Sequence, residues 1–251
     1  MRSSDRRTLP FKKGAITKWK KLVPVLESER MFVLLKDIDR FANEYTLLPQ
    51  TKDIFNMFRM IFPEEVKVVF VGQSPYSGYC PATETPYACG LAFLPAPGCV
   101  TTPATLRNIV SEVCRDMGKQ TNIAPKDMLL NWISQGTMML NSTMTLGKNC
   151  PSYLEDHSVA WEEVMREILL TISDKLDPIF VLVGSNAWKY EDSCGAIFGT
   201  KKVLKVSHPA AQQARAPSAR VATTAPWMKS CVFSNISKML IDKDVMPIRW
   251  L

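Results

Sequence analysis

The residues best suited to chemistry lie in four short polar segments, each of which follows an apolar run. They read GQSPY at residues 72–76, LNST at 140–143, VGSNA at 183–187 and SHPAAQ at 207–212. These segments supply side-chain amides, hydroxyls and one of the two histidines of the chain, and Phe93 adds an aromatic face nearby. An aromatic ring for stacking, an amide to read an edge and a histidine together suit a pocket for a flat heterocycle.

The same segments exclude several common kinds of site. The first lacks the G-K-[ST] of a phosphate loop, and the chain has no G-x-G-x-x-G dinucleotide motif. Its seven cysteines contain no C-x-x-C pair and no metal-ligand spacing. They indicate reduced intracellular thiols, and we expect neither a metal nor a cofactor.

Alternating strands and helices must position the polar segments. Apolar runs predict strands at Val66–Val71, Thr137–Leu140, Ile179–Val183 and Val203–Val206. Apolar side chains at three- and four-residue spacing predict helices at Trp19–Phe41, Thr51–Met60, Thr105–Met117, Lys126–Ser134 and His157–Lys175. This alternation predicts an α/β/α sandwich with a central, mainly parallel sheet of four strands. Because ligands bind beyond the carboxyl ends of parallel strands, the four segments should converge on one cleft.

Positive charge is concentrated in two parts of the chain, whose formal net charge is +7. Residues 1–21 carry eight Lys and Arg against one acid, so we divide the chain into a basic arm at 1–21 and a single domain at 22–251. The arm is either a solvated tail or a segment that binds phosphate or directs import. Residues 193–241 hold seven basic residues and no acid. That pattern is typical of a face that follows a nucleic-acid backbone, although a membrane surface or an acidic protein also fits.

No apolar stretch is long enough to suggest a membrane span or a signal peptide, so we expect no membrane association.

Six segments, in order, resemble the family 1 uracil-DNA glycosylases. GQSPYSG at 72–78 resembles that family's water-activating loop GQDPYH, and GLAF at 90–93 matches its stacking segment. PATLRNI at 103–109 resembles its Pro-rich DNA loop, and LNS at 140–142 its uracil-reading strand. VGSNA and SHPAAQ resemble its WGSYA and HPSPLS loops. The HPAA form, the step from His157 to Trp161 and the Trp-containing C-terminus resemble the divergent branch of large DNA viruses, especially poxviruses.

The resemblance implies a uracil pocket built from Gln73, Tyr76, Phe93 and Asn141. Phe93 would stack on the base, and Asn141 would read the O4 and N3–H edge, on which cytosine presents the opposite pattern. Tyr76 would fill the space beside C5 and so exclude the methyl group of thymine. The residues alone leave other roles open: Phe93 as core, Asn141 as a turn former and Tyr76 as a loop residue packed on the sheet edge.

The resemblance also implies catalytic roles for Ser74, His208 and Asn141. His208 would hydrogen-bond the uracil O2 as negative charge builds on the departing base, although a histidine here could instead cap a strand end. Ser74 stands where the family has an aspartate that orients water and faces the cationic sugar. A hydroxyl can hold a water but is a poor base, so we expect slow chemistry. Glu84 is an acid that could replace the carboxylate, and His157 is predicted to be structural.

DNA contacts are implied for Thr105, Ser185, Ala210, Gln212 and Arg215. Thr105 and Ser185 match the family's phosphate-gripping serines, although they also fit a helix cap and an ordinary loop serine. Gln212 replaces an intercalating leucine, and a polar wedge fills the gap in a base stack less well. Ser77 replaces the closing histidine of the first motif.

Two functions follow from the resemblance. The first is a metal-free uracil-DNA glycosylase of base excision repair, which cleaves the N-glycosidic bond of flipped-out deoxyuridine in single- or double-stranded DNA and leaves an abasic site. The second is a DNA-binding homologue of little or no activity that acts as a scaffold for a replicative polymerase. A third reading, a generic nucleotide-binding module, is disfavoured by the missing phosphate loop. A viral member would act in the host nucleus or at a cytoplasmic replication site.

Overall fold

The computed structural model describes residues 8–149, 155–195, 203–210 and 226–251. The strands in these ranges are β1 (Thr46–Leu48), β2 (Val68–Gly72), β3 (Thr137–Asn141), β4 (Leu146–Lys148), β5 (Ile179–Val183) and β6 (Val203–Val206). The helices are α1 (Ala15–Leu22), α2 (Glu29–Glu44), α3 (Asn56–Met60), α4 (Ala104–Met117), α5 (Pro125–Ser134), α6 (Glu155–Leu176), α7 (Ser185–Trp188) and α8 (Val232–Asp242). None of the helices in the described part of the chain is both long and apolar enough to span a membrane.

The central sheet is parallel and has the strand order β3-β2-β5-β6. The two inner strands β2 and β5 and the edge strand β3 are buried at every residue, which matches their largely apolar sequences. In the register of the sheet, Gly72 at the end of β2 lies beside Asn141 at the end of β3. The predicted sandwich with a four-stranded parallel sheet is confirmed, and the polar segments share one edge.

Helices cover both faces of this sheet. On one face, Phe233 of α8 packs against Phe70 of β2, Trp132 of α5 and Trp250 near the C-terminus. On the other face, Met57 of α3 receives the β3 backbone N–H of Met139 on its sulfur at 3.1 Å. The sheet is therefore the middle of three layers, and its carboxyl edge is left open.

Two elements differ from the sequence prediction. The helix predicted over Trp19–Phe41 is two helices, because Pro24 opens a 3₁₀ turn at Pro24–Glu27 and Ser28 caps α2 by accepting the Met31 N–H at 3.2 Å. The helix predicted over Thr51–Met60 is a 3₁₀ turn, Thr51–Asp53, followed by the short α3. A small antiparallel pair, β1 with β4, was not predicted because each strand has only three residues.

The basic N-terminal segment is partly folded into the domain. All but the last residue of helix α1 lie in the predicted arm of residues 1–21, and both Ala15 and Trp19 are buried. The Trp19 indole N–H donates to the Ile61 carbonyl at 2.8 Å, and its ring packs edge-on against Phe58. Residues 15–21 therefore pack on the folded domain, and the division of the chain at residue 22 stays a prediction. The function of the basic side chains stays a prediction.

Helix α4 is hydrogen-bonded to residues 229–231, the segment that leads into α8. The buried Glu112 carboxylate accepts hydrogen bonds from Arg115 and from the backbone N–H groups of Lys229 and Cys231. Burial alone would raise the pKa of Glu112, but the hydrogen bonds from these groups outweigh it and lower the pKa. The charged carboxylate therefore stabilises the fold.

We expect Glu112→Gln to lower the free energy of unfolding by about 1–3 kcal/mol at neutral pH, because it leaves buried donors poorly matched. Since the folded-state pKa of Glu112 is lowered, its stabilisation is present above the ordinary glutamate pKa and is lost as pH falls through the folded-state pKa. The gap between wild type and variant should therefore shrink on acidification, as measured by urea unfolding at several pH values. Glu163→Gln is the control, because Glu163 is exposed and 3.6 Å from Arg30. An equal gap at all pH values would contradict this assignment.

Candidate active site

The turn that follows β2, at residues 72–78 and called the elbow below, is built around Gly72. A Cβ at this position would lie 2.8 Å from Cζ of Phe93 and 3.2 Å from Oδ1 of Asn141, so only glycine lets these side chains meet. The Gly72 carbonyl accepts the Ser142 N–H at 2.8 Å, and the Gln73 carbonyl accepts the Thr143 N–H at 2.9 Å. The ends of β2 and β3 are thereby held together.

We expect Gly72→Ala to displace the Phe93 ring and to lower the uracil release that the family resemblance implies by up to about 100-fold, since a shift of about 1 Å in a site can have that effect. It should also cost roughly 1–3 kcal/mol of stability through overpacking. Single-turnover uracil release and urea unfolding measure the two effects. Gly98→Ala is the matched control, because a Cβ there would have no neighbour within 4 Å. If the two variants behave alike, the close approach at Gly72 has no functional role.

Phe93 and Tyr76 form one fixed wall. Phe93 has a positive φ of 64°, which is uncommon for a side chain of this size, and its ring is buried. The Tyr76 hydroxyl donates to the Phe93 carbonyl oxygen at 2.9 Å. The Tyr76 ring also meets the Tyr87 ring edge-on, with centroids 5.9 Å apart. Burial raises the pKa of Tyr76, so its phenol stays neutral and keeps donating.

Asn141 is the polar side chain at the end of β3. It is only 7% exposed, yet its carboxamide makes no hydrogen bond to any residue in the described ranges. Among the described residues, the fully buried side-chain N and O atoms without a partner belong to Thr137, His157 and Tyr190, so the unpaired Asn141 carboxamide is accessible from the cleft. The Asn141 carboxamide is thus free to both donate to and accept from a bound molecule.

His208 follows β6 and is held in one tautomer. The backbone N–H of Ala210 donates to Nδ1 of His208 at 3.1 Å, so in the neutral ring the proton sits on Nε2. Burial lowers the pKa of His208, which favours this neutral form. The imidazole packs on Gly184, where a Cβ would lie 3.2 Å from the His208 Cβ. Asn108 of α4 donates to the Pro209 carbonyl at 2.7 Å and so fixes the turn.

These side chains line one cleft of about 180 Å³. Its lining residues are Gln73, Ser74, Pro75, Tyr76, Ser77, Leu91, Phe93, Thr105, Asn141 and His208. This volume is below the roughly 300–1,000 Å³ of pockets for drug-sized ligands, so it suits a single small ring. Three of the four predicted segments supply lining residues, and Gln73, Ser74, Tyr76, Phe93, Asn141, His208 and Thr105 meet there. The VGSNA segment at 183–187 supplies no lining residue, although its Gly184 lies against His208.

No carboxylate is found among the described residues that line the cleft. Ser74 is half-buried, and its hydroxyl makes no hydrogen bond within the described ranges. Glu84 does not substitute for the missing acid: it is exposed, with a positive φ of 52°, on a turn outside the lining. The cleft therefore has the Ser74 hydroxyl at the position where the family resemblance implies an aspartate.

The predicted DNA-contacting residues fall in different places. Thr105 lines the cleft, while Ser185 is exposed at the first residue of α7 and Ala210 is exposed two residues after His208. Gln212 and Arg215 lie outside the described residues. Leu91, which the sequence prediction did not single out, is part of the lining; its place in the GLAF segment was the available signal.

The basic segment between residues 193 and 241 is only partly described. Lys205 pairs with Glu191 at 2.6 Å, so its ammonium group already has a partner. Lys201, Lys202, Arg215 and Arg220 lie outside the described residues. The predicted nucleic-acid face therefore stays a prediction.

The other histidine, His157, is buried away from the cleft lining. Trp161 donates to Oγ1 of Thr145 at 2.7 Å, and that hydroxyl lies 2.9 Å from Nδ1 of His157. The ring also packs edge-on against Phe41, with centroids 4.6 Å apart. His157 thus ties α6 to the loop after β3.

Comparison with known sequences finds related proteins, although no family model matches the chain. The chain is 30% identical to the uracil-DNA glycosylase of Bacillus subtilis, over 92% of this chain and 94% of that protein. It is 32% identical to the uracil-DNA glycosylase of Clostridium beijerinckii, over 83% of this chain and 84% of that protein.

Comparison with solved structures gives the same picture of the fold. The crystal structure of mimivirus uracil-DNA glycosylase superposes with a TM-score of 0.79 at 24% identity, covering 98% of this chain and 90% of that one. The crystal structure of UNG from Nitratifractor salsuginis superposes with a TM-score of 0.56 at 15% identity, covering 93% of this chain and 98% of that one.

Proposed function

This chain belongs to the uracil-DNA glycosylase family, and from that premise we propose that it hydrolyses the N-glycosidic bond of deoxyuridine in DNA. The observation that carries the proposal is the cleft in which Tyr76, Phe93, Asn141 and His208 meet. The cleft has room for one base, so the nucleotide must leave the base stack to enter it. The products would be free uracil and an abasic site.

Recognition of uracil would depend on the wall formed by Phe93 and Tyr76 and on the unpaired carboxamide of Asn141. The Phe93 ring would stack on the base, and the Asn141 carboxamide would donate to O4 and accept from N3–H. Because Tyr76 is fixed by its hydrogen bond to the Phe93 carbonyl, it cannot move aside for a methyl group at C5. Thymine would be excluded by contact, and cytosine by the reversed donor and acceptor pattern.

His208 would act on the leaving group. As the bond between C1′ and N1 breaks, its electron pair moves onto the uracil ring and negative charge grows on O2. The tautomer set by the Ala210 N–H leaves the Nε2–H of His208 as the donor to that oxygen. A donor placed where charge develops is worth about 10²–10³ in rate.

Ser74 would hold the attacking water but supply no charge. The bond-breaking step leaves a cationic sugar, and the described lining offers it no carboxylate. The reaction would then depend on leaving-group stabilisation and on the strain of base extrusion. We propose a slow enzyme, with Thr105, Ser185, Ala210, Gln212 and Arg215 on the DNA.

A second candidate is a DNA-binding scaffold, for instance for a polymerase, without efficient catalysis. The missing carboxylate is the observation that favours it. The unpaired amide of Asn141 favours the enzyme, because it faces the cleft as a donor and acceptor for a base, and a scaffold has no use for such a group there.

The test is uracil release from single- and double-stranded oligonucleotides that carry one deoxyuridine, with thymine and cytosine substrates alongside. We expect uracil release alone, without added metal and in the presence of a chelator. Asn141→Ala should abolish it, whereas Asn131→Ala, an exposed asparagine on α5, should not. Equal removal of thymine or cytosine would overturn the proposed specificity. DNA binding without uracil release, even after Ser74→Asp, would support the scaffold.

We also propose a lineage among large DNA viruses, with a poxvirus-like position inside it. The high TM-score to the mimivirus enzyme supports the viral part. The poxvirus-like part depends on the HPAA segment and the Trp-containing C-terminus. A phylogeny that places the chain among bacterial enzymes would contradict both.

A further inference from the structure

Tyr87 lies behind the wall formed by Phe93 and Tyr76. Its ring meets the Tyr76 ring edge-on, with centroids 5.9 Å apart. Because Tyr76 lines the cleft and Tyr87 does not, Tyr87 contacts the Tyr76 ring from outside the cleft. Tyr87 falls between the GQSPYSG and GLAF segments, so the family resemblance gives it no role. Its part in the site has to be inferred from its contacts.

Three hydrogen bonds hold Tyr87 in place. Its backbone N–H donates to the Gly78 carbonyl at 3.0 Å, and its own carbonyl accepts the Ala96 N–H at 2.9 Å. Its hydroxyl hydrogen-bonds the Thr101 hydroxyl, on the segment that leads into α4. A side chain that is anchored at both backbone groups and at its tip is a firm support for a neighbouring ring.

The Tyr87 ring also covers the end of the elbow. A Cβ on Gly78 would lie 3.4 Å from Cδ2 of Tyr87, which is ordinary van der Waals contact. Tyr79 and Pro86 form an antiparallel bridge that brings the two ends of the intervening loop together. The elbow and Tyr87 therefore form one packed unit, and a Tyr76 ring that turned away from the cleft would run into Tyr87.

Tyr76 needs this support because its hydrogen bond holds one end of the side chain. The bond to the Phe93 carbonyl positions the hydroxyl, and a ring can still pivot about such a bond. A methyl group at C5 of the base would push the ring in that direction. A pocket rejects a larger base only when its wall resists displacement, and close packing supplies that resistance.

We propose that Tyr87 is a positioning residue that fixes the Tyr76 ring and thereby sets the discrimination against bases with a methyl group at C5. Tyr87 itself touches no base. The discrimination rests on the proposed function, because it is expressed in which base is released. The fixing of Tyr76 rests on the contacts of Tyr87 alone.

The first test compares single-turnover release of uracil and of thymine from matched single-stranded oligonucleotides. We expect Tyr87→Ala to raise the ratio of thymine to uracil release by about 10- to 200-fold, which is the discrimination that one carbon group provides in a pocket. Tyr87→Phe keeps the ring and should restore a ratio near that of the wild type. A loss of both activities at an unchanged ratio would show a merely structural role and overturn the proposal.

Tyr45→Ala is the matched control. Tyr45 is also half-buried, but its ring packs on Phe41, with centroids 5.0 Å apart, and it lies outside the cleft lining. This variant should leave the ratio unchanged, and an equal rise in both alanine variants would contradict the role of Tyr87. Urea unfolding checks that each variant is folded. If Tyr87→Ala does not fold, Tyr87→Leu takes its place, with a rise in the ratio again expected.

The second test needs no activity. The six tyrosines of the full chain are replaced by 3-fluorotyrosine, and the Tyr76 fluorine signal is assigned with Tyr76→Phe. We expect the transverse relaxation of this signal to be that of a rigid ring in the wild type and in Tyr45→Ala, and that of a mobile ring in Tyr87→Ala. Unchanged relaxation in Tyr87→Ala would overturn the fixing of Tyr76. A wild type that releases no uracil would count against the proposed function, and the relaxation would still decide whether Tyr87 holds Tyr76.

Discussion

Replacing Ser74 by aspartate is expected to speed uracil release by about 30- to 1,000-fold. The estimate comes from Coulomb's law: a carboxylate about 4 Å from the developing sugar cation is worth up to about 4 kcal/mol at an effective dielectric constant near 20. Half to all of that energy corresponds to the stated range in rate. The site can accept the charge because Ser74 is half-buried at the cleft and its hydroxyl serves no other described residue.

The measurement is single-turnover release from a labelled oligonucleotide, which isolates the chemical step. Ser134→Asp is the control, because it places the same charge at an exposed position at the end of α5, outside the cleft lining. We expect a much smaller effect there, since solvent screens an exposed charge. If both variants accelerate release equally, the gain reflects general electrostatics rather than a vacant catalytic position. A slower Ser74→Asp variant would show that the elbow has adapted to a neutral side chain.

Replacing His208 by alanine is expected to slow uracil release by about 10²–10³-fold, because it removes the donor to the departing base. The fold should change little, since the imidazole packs chiefly on Gly184 and on its own turn. His208→Gln keeps a hydrogen-bond donor on a flexible side chain, so its rate of uracil release should lie between those of the wild type and His208→Ala. Unchanged release in His208→Ala would remove leaving-group stabilisation by this residue from the mechanism.

The pH dependence gives a second readout for His208. Because burial lowers its pKa below the ordinary histidine value, the neutral ring should persist to more acidic pH than in a free imidazole. Uracil release by the wild type should therefore stay level as pH falls past that ordinary value and decline only in more acid solution. There the protonated ring can no longer accept the Ala210 N–H. His208→Ala should lack this acid decline.

The strands and helices were predictable because buried faces leave regular patterns of apolar residues in the sequence. β5 and β6 begin and end at the predicted residues. β5 is buried at every residue and is an unbroken apolar run, whereas β6 is only partly buried and carries Lys205 among its apolar residues. Helix α4 differs from its prediction by one residue. The prediction of one helix over Trp19–Phe41 was wrong because the helical spacing of apolar residues continues across the turn that begins at Pro24. That spacing alone does not show that Ser28 caps a second helix.

The cleft was predictable from the rule that parallel strands end at one edge, but its fine structure was not. Two hydrogen bonds on which the proposed chemistry depends join residues far apart in the chain or involve backbone groups. The Asn108 amide reaches the Pro209 carbonyl, and the Ala210 N–H selects the His208 tautomer. Neither leaves a trace in residue spacing. The same limit applied to Glu84, whose exposed turn could not be inferred from its position between motifs.

Under the proposed function, helix α4 joins the DNA contact of Thr105 and the turn that carries His208 in one rigid element. Its successive turns carry Thr105 at the cleft, Asn108 on the His208 turn, and Glu112 and Asp116 on the segment that enters α8. If a DNA phosphate binds at the first turn as proposed, a displacement there should reach the His208 turn through the same helix. We therefore expect substitutions in α4 to change DNA affinity and the rate of uracil release together.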